Sequence, residues 1–278
     1  MEKEIAKVIK YFSFFAYHPT LDEIYTFLRV KINKQKLKYT PPQYSIRRKI
    51  SQKKLNNWRF RAYLRLISLF PQIKLIGLSG SISMMNAKED DDIDLFIITA
   101  KNRLFTGRLI TLALAQIFGL RRHRQFRKLD TVFFNRHTPM GPLAIVSKKV
   151  SSLSKNKVCL NLFFDESNLK VPKFKQTEFV GHEVLQMKSL VVKDNIHEKF
   201  LEANKWVFRL FPNAVPPVIP VKTGIQTKYI PLTFNFIELI LKKFQLRSIN
   251  KHKTSEIITP TQLWFHPDDF EKKLRRLK

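Results

Sequence analysis

Two short apolar segments separated by a polar one constrain this chain most. Residues 73–78 read IKLIGL and residues 93–99 read IDLFIIT. Their length of six or seven residues, and the Ser-Gly pair that bounds the first, favour buried strands over helices. A helical pattern follows at 102–119 and ends at a glycine. The order strand, turn, strand, helix predicts a fold that combines a sheet with helices.

Negative charge is concentrated at the start of the second apolar segment. Five carboxylates occupy positions 89–94, although the formal net charge is +29 and no acidic residue lies at 25–88 or 95–129. Asp92 and Asp94 are two positions apart, so in a strand both side chains point to the same side. Such a pair repels itself unless a cation lies between the two, and carboxylate oxygens favour Mg²⁺ or Mn²⁺. Solubility explains residues 89–91, but not a carboxylate at Asp94 inside an apolar strand.

The turn after the first segment has the residues of a phosphate-binding loop. Gly80 lets the backbone approach a ligand closely, and Ser81 offers a hydroxyl beside the N–H groups of the turn. Ten residues separate Ser81 from Asp92. This length allows the chain to fold back, so the turn is expected next to the acidic pair.

The segment 75–98 resembles the motif of the nucleotidyltransferase superfamily, which includes DNA polymerase beta and the antibiotic-modifying nucleotidyltransferases. It reads LIGLSGS, then ISMMNAKEDD, then DIDLFII. The resemblance implies an α+β fold with a small mixed sheet flanked by helices. It implies that Asp92 and Asp94 bind two Mg²⁺ ions, with Mn²⁺ as the other candidate, and that Gly80 and Ser81 bind the outer phosphates of a nucleoside triphosphate. The implied reaction moves a nucleoside monophosphate to a hydroxyl acceptor whose identity the sequence does not give.

Members of this superfamily carry a third carboxylate on a later strand, and here the sequence departs from the pattern. The next confident strand, VCLNLFF at 158–164, has Asn161 at its centre, and a neutral amide is a poor general base. The candidates for the missing charge are Asp165, then Glu166, then Asp130. If none of them reaches the pair, the protein binds nucleotide with slow or no turnover.

A weaker resemblance, to a group of bacterial proteins, includes an HEV-x-Q-x-K element at 182–188. His182 and Glu183 do not form a zinc motif, because no second histidine follows four residues later. We interpret these two residues as part of a polar helix face.

The chain divides into three predicted regions. Residues 1–70 form a helical unit that resembles a winged helix, 71–190 form the nucleotidyltransferase domain with 121–157 as an insertion, and 191–278 form a helical extension. Cationic and apolar residues interleave at 45–69. This pattern suits either a nucleic-acid binder or a helical cap with solvated charges, and both interpretations stay open.

Composition indicates a cellular compartment but leaves other functions open. The single cysteine, Cys159, excludes an internal disulfide and favours a reducing compartment. The most apolar window, 104–120, is interrupted by Arg108, so no transmembrane segment and a cytoplasmic location are expected. The alternatives to an active enzyme are a weakly active or inactive protein of the same fold that binds nucleic acid, and a component of a toxin–antitoxin pair.

Overall fold

The computed structural model describes residues 1–40, 46–122, 156–215, 235–252 and 256–265. These residues form a mixed α+β structure in which a six-stranded mixed sheet is flanked by helices. The predicted insertion falls largely on 123–155, which lies outside the described residues. Across the described ranges, every helix is too short or too polar to cross a membrane.

The helices and strands follow one another along the whole described chain. The helices are α1 (Glu2–Ser13), α2 (Leu21–Phe27), α3 (Ile46–Leu55), α4 (Trp58–Leu69), α5 (Gly80–Ser83), α6 (Leu104–Ile117), α7 (Glu178–Gln186), α8 (Ile196–Ala203), α9 (Trp206–Leu210) and α10 (Asn235–His252). The strands are β1 (Ile73–Leu78), β2 (Ile93–Thr99), β3 (Val158–Asp165), β4 (Lys188–Val192), β5 (Ile257–Ile258) and β6 (Gln262–Trp264).

The sheet order is β4-β1-β2-β3-β6-β5. Strands β2 and β3 run parallel, and the other neighbouring pairs run antiparallel. The predicted strands at 73–78 and 93–99 are confirmed with the same bounds. Both are buried on both faces, which explains why they read as continuous apolar segments.

Three strands were missed by the sequence prediction. We expected the α7 helix to continue to Ser189, but it ends at Gln186 and β4 begins at Lys188. Neither glycine nor proline marks this change of structure. Strands β5 and β6 lie inside the segment predicted to be a helical extension, which is therefore not helical throughout. Strands of two or three residues are too short to show the alternation of apolar and polar residues from which a strand is predicted.

Helices cover both faces of the sheet. On one face α4 and α6 contribute Phe60, Tyr63 and Phe105 to the core, and the Tyr63 hydroxyl donates to the Thr111 carbonyl at 3.2 Å. On the other face α7 and α8 pack their apolar side chains against β1 and β2. Burial of each large apolar side chain contributes about 1.5–3 kcal/mol, so both helix layers are tied firmly to the sheet.

The N-terminal helices confirm one capping prediction and correct one helix boundary. A threonine followed three residues later by a glutamate predicts a capping box, and Thr20 and Glu23 form one at the start of α2. The segment 45–69, expected as one long helical segment, is divided into α3 and α4, and the Asn57 side chain caps α4. Described residues 1–40 and 46–70 contain no strand, so the structure gives no support for the wing of a winged helix there.

Helix α3 fastens the acidic loop that leads into β2. The Lys54 ammonium, only 2% exposed, donates to the carbonyl oxygens of Glu89 at 2.8 Å and Asp91 at 2.6 Å. Three residues earlier, the Ser51 hydroxyl oxygen accepts from the Ala87 N–H at 3.0 Å. The helix therefore determines the path of the chain just before Asp92.

Replacement of Lys54 tests this role. The Lys54→Met variant keeps the length of the side chain but leaves the two carbonyls without their donor, so we expect stability to fall by roughly 1–3 kcal/mol. Urea unfolding measures the loss. The neighbouring Lys53 is exposed, and Lys53→Met is the control, with an expected change within about 0.5 kcal/mol. Equal losses in both variants contradict a specific anchor.

Candidate functional site

The Gly-Ser turn lies directly against Asp94. The turn follows β1, and the Ser79 N–H donates to the Asp94 carbonyl at 3.0 Å. Gly80 adopts a φ of +63°, and a Cβ atom added there would lie 2.5 Å from Asp94 Oδ2. Only glycine fits both this φ and this space. The predicted return of the turn to the acidic pair is therefore present, with Asp94 as the contact.

The Ser81 side chain contacts the acidic loop. Its hydroxyl donates to Asp91 Oδ2 at 2.9 Å, and the Lys88 N–H donates to the same oxygen at 2.9 Å. The Ser81 carbonyl accepts from the Asn86 N–H at 2.9 Å. The hydroxyl predicted to contact phosphate therefore stands beside the acidic loop and has a carboxylate as its partner.

Asp92 lies immediately before β2 and is paired with a cation. Its Oδ2 is 2.7 Å from Arg122 Nη1, and the Asp92 side chain is 14% exposed. Asp92 also raises the pKa of Asp94, which shows that the two charges lie within electrostatic reach of each other. The two carboxylates therefore lie near each other, and an arginine partly neutralises Asp92.

Asn161 occupies the place next to Asp94 where the third acid was expected. Asp94 is opposite Cys159 in the parallel ladder, and a bulge between Leu160 and Leu162 leaves Asn161 outside the register. The Asn161 amide donates from Nδ2 to Asp94 Oδ1 at 2.8 Å, while its Oδ1 accepts from Cys159 Sγ at 2.7 Å. A bulge redirects a side chain without ending the strand, and here it directs an amide at the carboxylate.

The structure places Asp165, the first-ranked third carboxylate, at the opposite end of the sheet. Asp165 is opposite Thr99, five residues beyond Asp94, which corresponds to about 16 Å along the strand. Its oxygens accept from Ser167 and from the Arg103 N–H ahead of α6. The assignment of Asp165 to the catalytic set does not agree with this geometry, because the parallel register carries it away from the pair.

Glu166, the second candidate, does not reach the pair. Glu166 follows Asp165 at the same distant end, where its carboxylate lies 3.3 Å from the Lys199 ammonium. Asp130 lies outside the described residues.

A carboxylate that was not among the candidates reaches the site instead. Glu183 projects from α7, and its Oε2 accepts from the Gly80 N–H at 3.4 Å. Gly80 therefore lies between two carboxylates, with its N–H toward Glu183 and its Cα toward Asp94. The signal in the sequence was a carboxylate inside the apolar segment FVGHEVL, and the spacing to Asp94 gave no reason to connect the two.

His182 was interpreted as part of a polar helix face, and this interpretation is wrong. The imidazole is 2% exposed and stacks on Tyr11 and Phe27 with ring centroids 3.8 and 4.0 Å away. Burial lowers the pKa of His182 well below its usual value, with a smaller contribution from Arg29. The residue packs α7 against the N-terminal helices, and this contact holds the adjacent Glu183 in place.

Burial increases the proton affinity of both central carboxylates. Burial raises the pKa of Asp94 to about 7, and the charges of Glu183, Asp92 and Asp91 add to the effect. Burial likewise raises the pKa of Glu183 to about 7, and the Gly80 N–H opposes that shift. Both groups are therefore stabilised as anions by any additional positive charge.

A hard divalent cation fits this set of donors. The available atoms are carboxylate oxygens whose negative charges are close together, as the raised pKa of Asp94 shows. Among the described residues, no group of three or more His, Cys, Asp or Glu side chains is arranged to hold a metal ion. Mg²⁺ is ordinarily held by one or two carboxylates together with substrate phosphates, so an incomplete set of protein ligands is compatible with it.

Comparison of the chain with protein-family models, curated protein sequences and solved structures finds no match.

The raised pKa of Asp94 predicts a dependence of stability on pH. The folded pKa of about 7 lies above the ordinary 3.8, so the folded state binds the proton more tightly. Stability from this source is present at low pH and is lost as the pH rises from about 4 to about 7.

The variant Asp94→Asn removes that loss. In a chelating buffer at pH 8 we expect it to melt at least ~3 °C above the parent, corresponding to roughly 1 kcal/mol, and to show no such gain at pH 4. Thermal unfolding followed by circular dichroism measures both. A gain of the same size at the two pH values contradicts the shifted pKa.

Proposed function

We propose that this protein is a Mg²⁺-dependent nucleotidyltransferase with a nucleotidyltransferase-type fold, which moves a nucleoside monophosphate from a nucleoside triphosphate to a hydroxyl acceptor. The position of Gly80 carries the proposal. A turn suited to phosphate oxygens has its glycine between Asp94 and Glu183. Phosphate and the cation that neutralises it are therefore recognised in one place.

The roles of the residues follow from their positions. Asp94 and Asp92 hold Mg²⁺, which when bound supplies positive charge beside the phosphates. Gly80 and Ser81 bind the outer phosphates, for which the Gly80 N–H gives up its bond to Glu183 and the Ser81 hydroxyl gives up its bond to Asp91. Arg122 lies at the edge of the site, 2.7 Å from Asp92, where a guanidinium stabilises phosphate charge.

Glu183 is the group best suited to accept the proton of the acceptor. The acceptor oxygen forms a bond to the α-phosphorus, the bond from that phosphorus to the pyrophosphate oxygen breaks, and the hydroxyl proton moves to the Glu183 carboxylate. A pKa of about 7 suits a general base at neutral pH. Glu183 in this role supplies the carboxylate that Asn161 lacks.

Activity of three variants tests the proposal. Purified protein with Mg²⁺ and labelled nucleoside triphosphates is expected to release pyrophosphate. We expect Asp94→Asn and Glu183→Gln each to lower the rate at least ~100-fold, because a positioned proton acceptor contributes roughly 10²–10⁴-fold. Asp90→Asn is the matched control, since Asp90 is an exposed member of the same acidic run, and its expected rate is within about twofold of the parent.

The proposal would be refuted if the parent protein neither bound triphosphate nor released pyrophosphate. Equal losses in Asp90→Asn and Asp94→Asn would also refute the assigned roles, since only Asp94 contacts the glycine turn.

A second function is favoured by Asn161. An amide that donates to Asp94 partly compensates the carboxylate without a cation and adds no charge for catalysis. This arrangement suits a protein of the same fold that binds nucleotide or nucleic acid and turns over slowly or not at all. The toxin–antitoxin hypothesis stays a prediction, with growth arrest on expression, relieved by Asp94→Asn, as its test.

The variant Asn161→Asp separates the two functions. It puts a third carboxylate beside Asp94, so we expect tighter Mg²⁺ binding by calorimetry in either case. If the parent lacks turnover because an acid is missing, the variant should raise pyrophosphate release at least ~10-fold. If Glu183 already serves as the base, the rate should stay within about threefold and Glu183→Gln should remain inactive in the Asn161→Asp background.

A further inference from the structure

Cationic side chains continue from the site along one edge of the structure. Among the described residues, Lys157 lies beside the start of β2: its carbonyl accepts from the Ile93 N–H at 2.8 Å, and its ammonium donates to the Gly119 carbonyl at 2.6 Å. Burial lowers the pKa of Lys157, the charge of Arg59 lowers it further, and Asp92 opposes the shift. Lys157 therefore lies within electrostatic reach of both Asp92 and Arg59, and it connects the two.

Arg59 extends this cationic line to an exposed aromatic ring. Arg59 Nη1 lies 4.0 Å from the position of a Cβ built on Gly119, which places it beside Lys157. Its guanidinium carbon is 5.6 Å from the centroid of the Trp58 ring, and Trp58 is 69% exposed. Farther along the same helix, Arg61 and Arg65 are also exposed. We call the set Arg122, Lys157, Arg59 and Trp58 the basic track.

Helix stability does not explain the basic track. Arg59 lies in the first turn of α4, where the helix dipole disfavours a cation by roughly 0.3–1 kcal/mol. An exposed tryptophan in the same turn contributes little to the core. Like charges close to one another and an accessible aromatic ring are instead the two components of a site for single-stranded nucleic acid, in which cations follow the phosphates and a base stacks on the ring.

We propose that the basic track binds a single-stranded polynucleotide and directs its terminal hydroxyl toward Asp92 and Asp94. The role of this strand as acceptor rests on the proposed function, whereas its binding does not. Charge complementarity selects a polyanion, and the Trp58 ring selects one with unpaired bases. RNA and DNA share this chemistry.

Fluorescence anisotropy with labelled single strands of about 15 nucleotides, one RNA and one DNA, tests binding without triphosphate or Mg²⁺. We expect the double variant Trp58→Ala/Arg59→Ala to bind at least ~10-fold more weakly, and the slope of log affinity against log salt to fall by about 0.7 for the lost cation. Quenching of tryptophan fluorescence on binding should be largely lost in Trp58→Phe.

A matched control lies on α10, where Lys243 is exposed beside Phe244, which is 67% exposed. The double variant Lys243→Ala/Phe244→Ala removes the same kinds of group and should bind within about twofold of the parent. Equal losses in the two double variants would show diffuse attraction by net charge and overturn the proposal. Absence of binding by the parent to either strand would also overturn it.

Two further experiments distinguish nucleic-acid binding by the basic track from membrane binding and from the proposed function. If Trp58→Ala/Arg59→Ala weakens binding to vesicles of phosphatidylserine and phosphatidylcholine but leaves oligonucleotide binding unchanged, the track is a membrane contact and the proposal fails. Transfer to small hydroxyl compounds without oligonucleotide binding would overturn the inference and leave the proposed function standing. Binding without transfer supports the track while the proposed function fails.

Discussion

The contact between the Gly80 backbone and the Asp94 carboxylate is the constraint on which the rest of the site depends. It exists because β1 and β2 are antiparallel neighbours, so that the end of one strand and the start of the other lie side by side. A Cβ atom at position 80 would lie 2.5 Å from Asp94 Oδ2, so a side chain there would have to displace that carboxylate. On the other side of the glycine, Glu183 accepts from the Gly80 N–H.

Around this contact, buried carboxylates lie inside and cationic side chains lie nearer the surface. The inner carboxylates lose solvation, which raises the pKa of Asp94 and Glu183 to about 7. The outer carboxylate, Asp92, is paired with Arg122, the first member of the basic track. In the proposed function, a phosphate-bearing substrate together with its cation would satisfy both layers at once, whereas either alone would leave one charge uncompensated.

The N-terminal helices have a structural role in the site. Lys54 and Ser51 hold the acidic loop through its backbone, so the loop keeps its path although four of its acidic residues repel one another. The stacking of His182 on Tyr11 and Phe27 fastens α7 to the same helices. The two alternatives for residues 45–69, a cap and a nucleic-acid binder, are therefore compatible, because the buried side of α3 and α4 packs while the exposed side carries cations.

The sequence by itself determined the parts of this protein that depend on neighbours along the chain. These are strands β1 and β2, the turn at Gly80 and the Thr20 cap. Only the tertiary structure decided which carboxylate joins the pair. The parallel register carries Asp165 to the far end of β3, and the packing of α7 brings Glu183 to Gly80 from 103 positions away. Local periodicity cannot encode such a contact, because it results from how two layers pack rather than from the spacing of residues within either one.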